Sequence, residues 1–381
     1  MRLLPLATIL ICAPNTWAST PLPDNAIESQ RVRAVVDAMQ SAIQRLDAGA
    51  YMAQINPSDP VLTTEHRAWF TELSVAPVND LRVSLDKETE ILIEDDGTIV
   101  APIVYTWQVP SEDEPRSYDM PARFEPIGAA HGQWHFTGRA WEIALTDTPG
   151  VRIYCDQQHA DIANLALERV PVLRDEIARD MGIDPSGGDL HEVVVKIYPR
   201  MRELQASIYP SYTAGISGWN EPGESIKILG RDEMGLDRLD PLLAHEIGHA
   251  VSFEYGPDIN LAPWWTLEGV AEVAAGLFRD SWERKNRRIA KLAQSDNLRE
   301  WHLLADFKGE AINHGMHVYL QGWSMIDYID RTLGKDKRNA WFTRLAHGDT
   351  LDQASRAALN ISFDELDAQW HASLMEVDTE D

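Results

Sequence analysis

The run His245-Glu246-Ile247-Gly248-His249 places the tightest constraint on this chain. On an α-helix, residues four apart differ by about 40° in azimuth and one turn in height, so two imidazoles at that spacing can reach one ion. Glu246 then stands beside them. The requirement makes the segment a helix with one polar edge facing a cleft. Leu243, Ile247, Ala250 and Val251 fall on the opposite side at i, i+4, i+7 and i+8, a stripe that must be buried. Asp240-Pro241 supplies a helix start and Gly256-Pro257 a stop. Two histidines and a glutamate in this order are the residue set for holding zinc and activating a water.

A zinc site that does chemistry usually takes three protein ligands and leaves a fourth position open. The next segment carries a candidate third ligand. Eighteen residues separate His249 from Glu268, which lies in Pro263-Trp264-Trp265-Thr266-Leu267-Glu268-Gly269-Val270-Ala271-Glu272. With proline at its front, that stretch reads as the first turns of another helix.

These residues resemble the gluzincin metallopeptidases, both the aminopeptidase N-like family and the smaller peptidase MA-like family, whose pattern sets W-x-x-E-G-x-A-x-Y/F one such interval after HExxH. The resemblance implies an α+β catalytic domain, a small mixed sheet followed by a helical subdomain, that hydrolyses peptide bonds. Carried over residue by residue, it implies that His245, His249 and Glu268 hold Zn²⁺. Glu246 becomes the general base that takes a proton from the attacking water. Val273 stands where the family carries an aromatic, which touches packing only. Glu272, one turn beyond Glu268, is expected to accept the remaining N–H of His245; the other reading of it is a solvated helix carboxylate.

Two later runs, Tyr319 to Ile329 and Leu359 to Trp370, resemble peptidase MA-like helix openings. In that family a Y-x-x-G/S-x-S/A run follows the third-ligand helix, and its tyrosine donates to the oxyanion. Tyr319 is the candidate here, against the alternative of an amphipathic tyrosine packing a helix start. His314 and His317, expected on a loop just before it, are alternative donors. Nothing ahead of His245 matches the G-x-M-E-N stretch with which aminopeptidase N-like enzymes hold a free amine; Gly218-Trp219-Asn220-Glu221 occupies a comparable place without the pattern. An endopeptidase is therefore expected rather than an aminopeptidase.

Residues 1–18 read as a signal peptide: Arg2, an apolar run from Leu3 to Cys12, and Thr16-Trp17-Ala18 before the cleavage point. The apolar run is too short to span a bilayer, and no other stretch is long and apolar enough. Cleavage leaves Cys155 alone, without an internal disulfide partner. An exported bacterial protein, periplasmic or secreted, is expected. A formal net charge of −26 argues against nucleic acid and anionic lipid as partners; a peptide or protein substrate is what the resemblance implies. Oligomeric state is not legible.

The chain is longer than one core usually serves, so two domains are expected, 19–150 and 151–381. In the first, Val32, Val35, Val36, Met39, Ile43 and Leu46 recur at helical spacing. After Asn56-Pro57 and Asp59-Pro60 come expected strands Leu81–Leu85, Glu90–Ile93, Ile99–Gln108 and Trp134–Trp141. A helix followed by a curved antiparallel sheet is similar to the cystatin-like or SnoaL-like cone. This part carries no compact catalytic constellation, and His131 and His135 read as structural or exposed residues rather than ligands. Substrate gating or partner binding is the functional reading of that domain.

In the second domain, Val151–Cys155 is an expected strand. Asp156 should cap a helix that Pro171 kinks or divides and Gly182 closes. Val193–Tyr198 follows as a buried strand, Arg200–Ile208 as a short helix, and Thr213–Trp219 with Ser225–Leu229 as a hairpin. In related enzymes such a hairpin offers an edge strand, so Gly215 to Trp219 is a candidate for pairing with a substrate backbone. A non-enzymatic alternative is a zinc-stabilised scaffold that binds peptides or envelope proteins. Glu246 argues against it, because a scaffold has no use for a base beside an open coordination position. Hydrolysis of a non-peptide amide is a third reading.

Overall fold

A computed structural model describes residues 25–85, 91–127, 133–186, 190, 192–232 and 234–379. The expected signal segment, residues 1–18, and His131 lie outside the described residues. Helix α1 (Asn25–Arg45) buries Val32, Val35, Val36, Met39 and Ile43 along one stripe, as the periodicity predicts. Helix α2 (Ala48–Met52) is capped by Asp47, whose side chain accepts from Ala50 N at 2.9 Å.

Helix α3 (Pro60–Val75) was not expected, because two X-Pro pairs read as a passage into β structure. The structure turns the second pair into a helix start instead. The Asp59 side chain accepts from Leu62 N at 3.0 Å, and Pro60 sits in the first turn, where an N–H has no intrahelical partner to lose.

Strands β1 (Asn79–Leu85), β2 (Leu92–Ile93), β3 (Ile99–Gln108), β4 (Arg116–Ile127) and β5 (Gln133–Arg139) form a curled antiparallel sheet. Among the described residues its order is β1-β3-β4-β5, with β2 on β3. Strand β4 is absent from the expected strands of this sheet, and it carries Pro121 and Pro126, residues that are rare inside a sheet. Pro121 lies opposite Pro102 of β3, and the β4–β5 register shifts between Ala122 and Phe124. The two residues without an N–H thus share one rung beside an irregularity. The buried sides of these strands and α1 to α3 make one core that includes Met39, Tyr51, Phe70, Ile103 and Phe124. His135 is buried on β5.

A second sheet runs β6-β7-β8-β10-β9, from β6 (Ile143–Leu145), β7 (Val151–Cys155), β8 (Val193–Tyr198), β9 (Gly218–Trp219) and β10 (Ile226–Leu229). It takes its first strand ahead of residue 150. The centre is parallel, and β6 and β9 are antiparallel edges. Helix α4 (Ala160–Met181) covers one face and continues undivided through Pro171 to Gly182, whose φ of +69° ends it. Asp156 does not cap it, because Arg139 holds that carboxylate at 2.6 Å and a 3₁₀ turn intervenes. Helix α5 (Met201–Ile208) follows β8.

The rest is helical: α6 (Leu236–Phe253), α7 (Trp264–Gly276), α8 (Trp282–Gln294), α9 (Gly315–Leu333), α10 (Lys335–Leu345), α11 (Leu351–Ala354) and α12 (Phe363–Met375). Helix α6 begins at Leu236 rather than at Pro241, which lies inside it. Asp240, the expected start, instead pairs with Arg169 of α4 at 2.7 Å. Leu243, Ile247 and Val251 are fully buried, as the stripe requires.

Glycines set the spacing of the three central helices. A Cβ at Gly248 of α6 would stand 2.8 Å from Ala274 Cβ and 3.0 Å from Ala271 Cα of α7. On the other side of α7, a Cβ at Gly269 would meet the Gly322 carbonyl carbon of α9 at 2.7 Å.

Helix α3 ties the two sheets together through Glu65. Its carboxylate accepts from Lys196 Nζ of β8 at 2.5 Å and from the backbone N and hydroxyl of Ser225, and lies 3.8 Å from Lys227 Nζ of β10. Burial alone would raise its pKa. The Lys196 and Lys227 ammoniums and the Lys196 and Ser225 hydrogen bonds outweigh that and lower it to about 2. Glu65→Gln takes the carboxylate from the Lys196 ammonium, while Lys227 keeps Glu224 at 2.6 Å, and is expected to cost about 3 kcal/mol in urea unfolding at neutral pH. A depressed folded-state pKa gives stability that is present above the unfolded carboxylate pKa and lost as pH falls through the folded one. The gap between the two proteins should therefore close as pH falls from about 4.5 toward 2.

Candidate metal centre

The close approach of α6 and α7 brings His245, His249 and Glu268 together, with one ligand atom from each within 4.8 Å of the others. Glu268 Oε2 lies 3.2 Å from His245 Nε2 and 3.5 Å from His249 Nε2. Its other oxygen accepts from Trp264 Nε1 at 2.8 Å, one helical turn back, which fixes how the carboxylate is turned. Two imidazole nitrogens and a carboxylate oxygen in one small volume could hold a metal ion, and this nitrogen and oxygen set suits zinc.

Glu272 also faces inward. Its Oε1 lies 3.2 Å from His245 Nδ1, while Oε2 accepts from Arg279 at 2.8 Å and from Lys285. The side chain is half-buried and paired rather than free in solvent. With Nδ1 engaged, His245 presents Nε2 to the ligand cluster. Burial would lower the His245 pKa, but the hydrogen bonds to Glu268 and Glu272 raise it to about 10. Burial likewise opposes ionisation of both glutamates. The histidines hold Glu268, and His245 with Lys285 holds Glu272, well below the usual carboxylate range. Glu272→Gln is expected to weaken zinc affinity by about 10- to 100-fold, measured by competition with a chelator.

Glu246 is 4% exposed, and burial raises its pKa. Edge strand β9 lies directly against it: a Cβ at Gly218 would stand 2.6 Å from Glu246 Cδ. A larger residue at 218 would have to push the Glu246 carboxylate aside.

Tyr319 is on α9, in its second turn. Its ring lies 5.8 Å from that of His245 at 29°, and 37% of the residue is open. It lines the cleft beside the ligand cluster and also meets the Trp264 ring of α7 at 6.3 Å. Burial and then the Glu268 and Glu246 carboxylates hold its hydroxyl protonated. His314 and His317 are not on a loop. The first ends a 3₁₀ turn and the second lies buried in α9, where desolvation and Arg299 lower its pKa. Neither lines the cleft.

The cleft encloses about 1150 Å³. Two of its side chains were not assigned a role from sequence. Tyr212 brings a second phenol, only 9% exposed, with its pKa pushed to about 12 by burial and by Glu268 and Glu246. It comes from an irregular segment after α5 and is held by Tyr209 and Trp219 rings, so no local pattern announces it. Glu221, in the β9–β10 turn, is raised to about 7 by burial and Glu224. Its place on the cleft depends on how the hairpin folds over α6, which no local pattern gives.

Among the described residues no helix is long and apolar enough to cross a membrane. No family model matches this chain, and no curated protein matches it either.

Proposed function

We propose that this chain is an exported zinc metallopeptidase of gluzincin type, with a peptidase MA-like catalytic unit behind a cystatin-like or SnoaL-like cone, and that it cuts within polypeptides. One observation carries the reading: a buried glutamate stands between an edge strand and a three-ligand cluster. His245, His249 and Glu268 hold the ion. When bound, zinc supplies Lewis acidity, which polarises an amide carbonyl and acidifies water.

The protein's own groups do the rest. Glu246 takes the proton of the attacking water and returns it to the leaving amine. Its raised pKa shortens the gap to neutral pH and so favours both transfers. Tyr319 keeps its proton and donates it in a hydrogen bond to the oxyanion. Glu272 fixes the His245 ring. Strand β9 pairs with the substrate backbone, and Gly218 lets that backbone pass within reach of Glu246. A closed ligand set without a base would suit a scaffold; the position of Glu246 favours turnover.

The test is to incubate the zinc-loaded chain with a diverse mixture of peptides and unfolded proteins and to read the products by mass spectrometry. Internal cuts support the reading, trimming from N-termini alone would make it an aminopeptidase, and no cuts with zinc bound would overturn it. Tyr319→Phe is expected to lower kcat about 10²-fold with KM little changed, measured on any peptide so identified.

A further inference from the structure

The face of the second sheet that α4 leaves bare is not apolar. Ile153, Cys155, Val195 and Ile197 point into the α4 core, whereas Arg152, Tyr154, Lys196 and Tyr198 alternate onto the opposite face of β7 and β8. That face looks toward α3 and the first sheet across a cavity of about 340 Å³, a size in the range of small-molecule sites. The cavity shares no lining residue with the metal cleft.

Its chemistry has two parts. Rings of Trp69, Tyr105, Trp107 and Tyr118 line one side, and those of Trp141 and Tyr198 the other, which suits a flat apolar body. Four cations, Arg123, Arg139, Arg152 and Lys196, are on the wall, in a chain of net charge −26. The carboxylates that hold the three arginines, Glu94, Asp156, Glu203 and Glu192, lie behind the wall and do not line it. Of the acids that do, Asp59 caps α3 and Glu65 is held by Lys196 and Ser225, which leaves Glu125.

Buried polar atoms without partners gather here. Five of the twelve among the described residues belong to this wall: Trp107 Nε1, Arg123 Nε, Arg139 Nε, Arg152 Nε and Thr137 Oγ1. Four of these can only donate, and a buried donor left unpaired is costly. They show that this wall is built from charged and polar groups rather than from apolar packing.

We propose that this inter-sheet cavity is a binding site for a small planar aromatic carboxylate, its ring between the tryptophan and tyrosine walls and its acid group toward Arg139 and Arg152. Charge-assisted hydrogen bonds from guanidinium groups would select the acid over its amide. Ala144 is an exposed residue on the lining and marks the mouth, and the Arg152–Glu192 pair reaches the surface there.

The probe is 2-naphthoate, titrated calorimetrically into the full chain, with neutral 2-naphthamide as its control. Expected are one site per chain and acid binding at least about tenfold tighter than amide binding. Arg152→Gln should remove that preference, and Ala144→Trp should block both ligands; thermal melting confirms that each variant folds. His249→Ala, altered in the metal cleft, should bind as the parent does. No binding, equal affinity for acid and amide, binding indifferent to Arg152→Gln and Ala144→Trp, or loss of binding in His249→Ala would each overturn the assignment.

Discussion

Replacing Glu246 with glutamine is expected to lower turnover by roughly 10²- to 10⁴-fold, the usual share of a general base, with zinc content unchanged. Glutamine has nearly the same shape, so the fit against Gly218 is kept, and Glu246 is not among the grouped ligand atoms. What goes is the ability to accept a proton. The comparison needs kcat on a cleaved peptide and metal content by mass spectrometry on the same preparation. Full activity in Glu246→Gln would place the base elsewhere, and Glu221 on the same cleft would then be the next residue to change.

Gly322→Val is expected to destabilise the protein by about 3 kcal/mol, the upper end of overpacking costs, and to weaken zinc binding with it. A Cβ there would stand 3.2 Å from the Trp265 carbonyl carbon, closer still to its oxygen, and 3.4 Å from Gly269 Cα. These are backbone atoms and cannot swing aside. Helix α7 also cannot retreat, because its far side meets Gly248 of α6 through Ala271 and Ala274. Any shift of α7 carries Glu268 with it. Urea unfolding measures the first effect and chelator competition the second; parental values in both would show that helix spacing does not position the third ligand.

What could be read from the chain is what depends on neighbours in sequence. His245 and His249 share a face because they are four apart, and Glu268 and Glu272 because they are one turn apart on α7. The alternation of β3 is likewise local. Helix α3 is not expected because Asp59-Pro60 reads as a break, and strand β4 carries two prolines of its own. Pro60 lies where a helix needs no donor, and Pro121 lies opposite another proline beside a register shift. Neither fact can be seen without the partner. Tyr212 is a harder case: it reaches the cleft only through the packing of Tyr209 and Trp219, residues that no spacing rule connects to the histidines.

The Glu65 contact has a consequence for descent. The acid belongs to one unit, while Lys196, Ser225 and Lys227 belong to the other. A recombination that joined this sheet to a different front half would take the Glu65 carboxylate from Lys196, while Lys227 would keep Glu224 of its own unit, unless the newcomer carried an acid at the same place. A new front half therefore satisfies Lys196 and Ser225 only if it brings an acid to the place of Glu65.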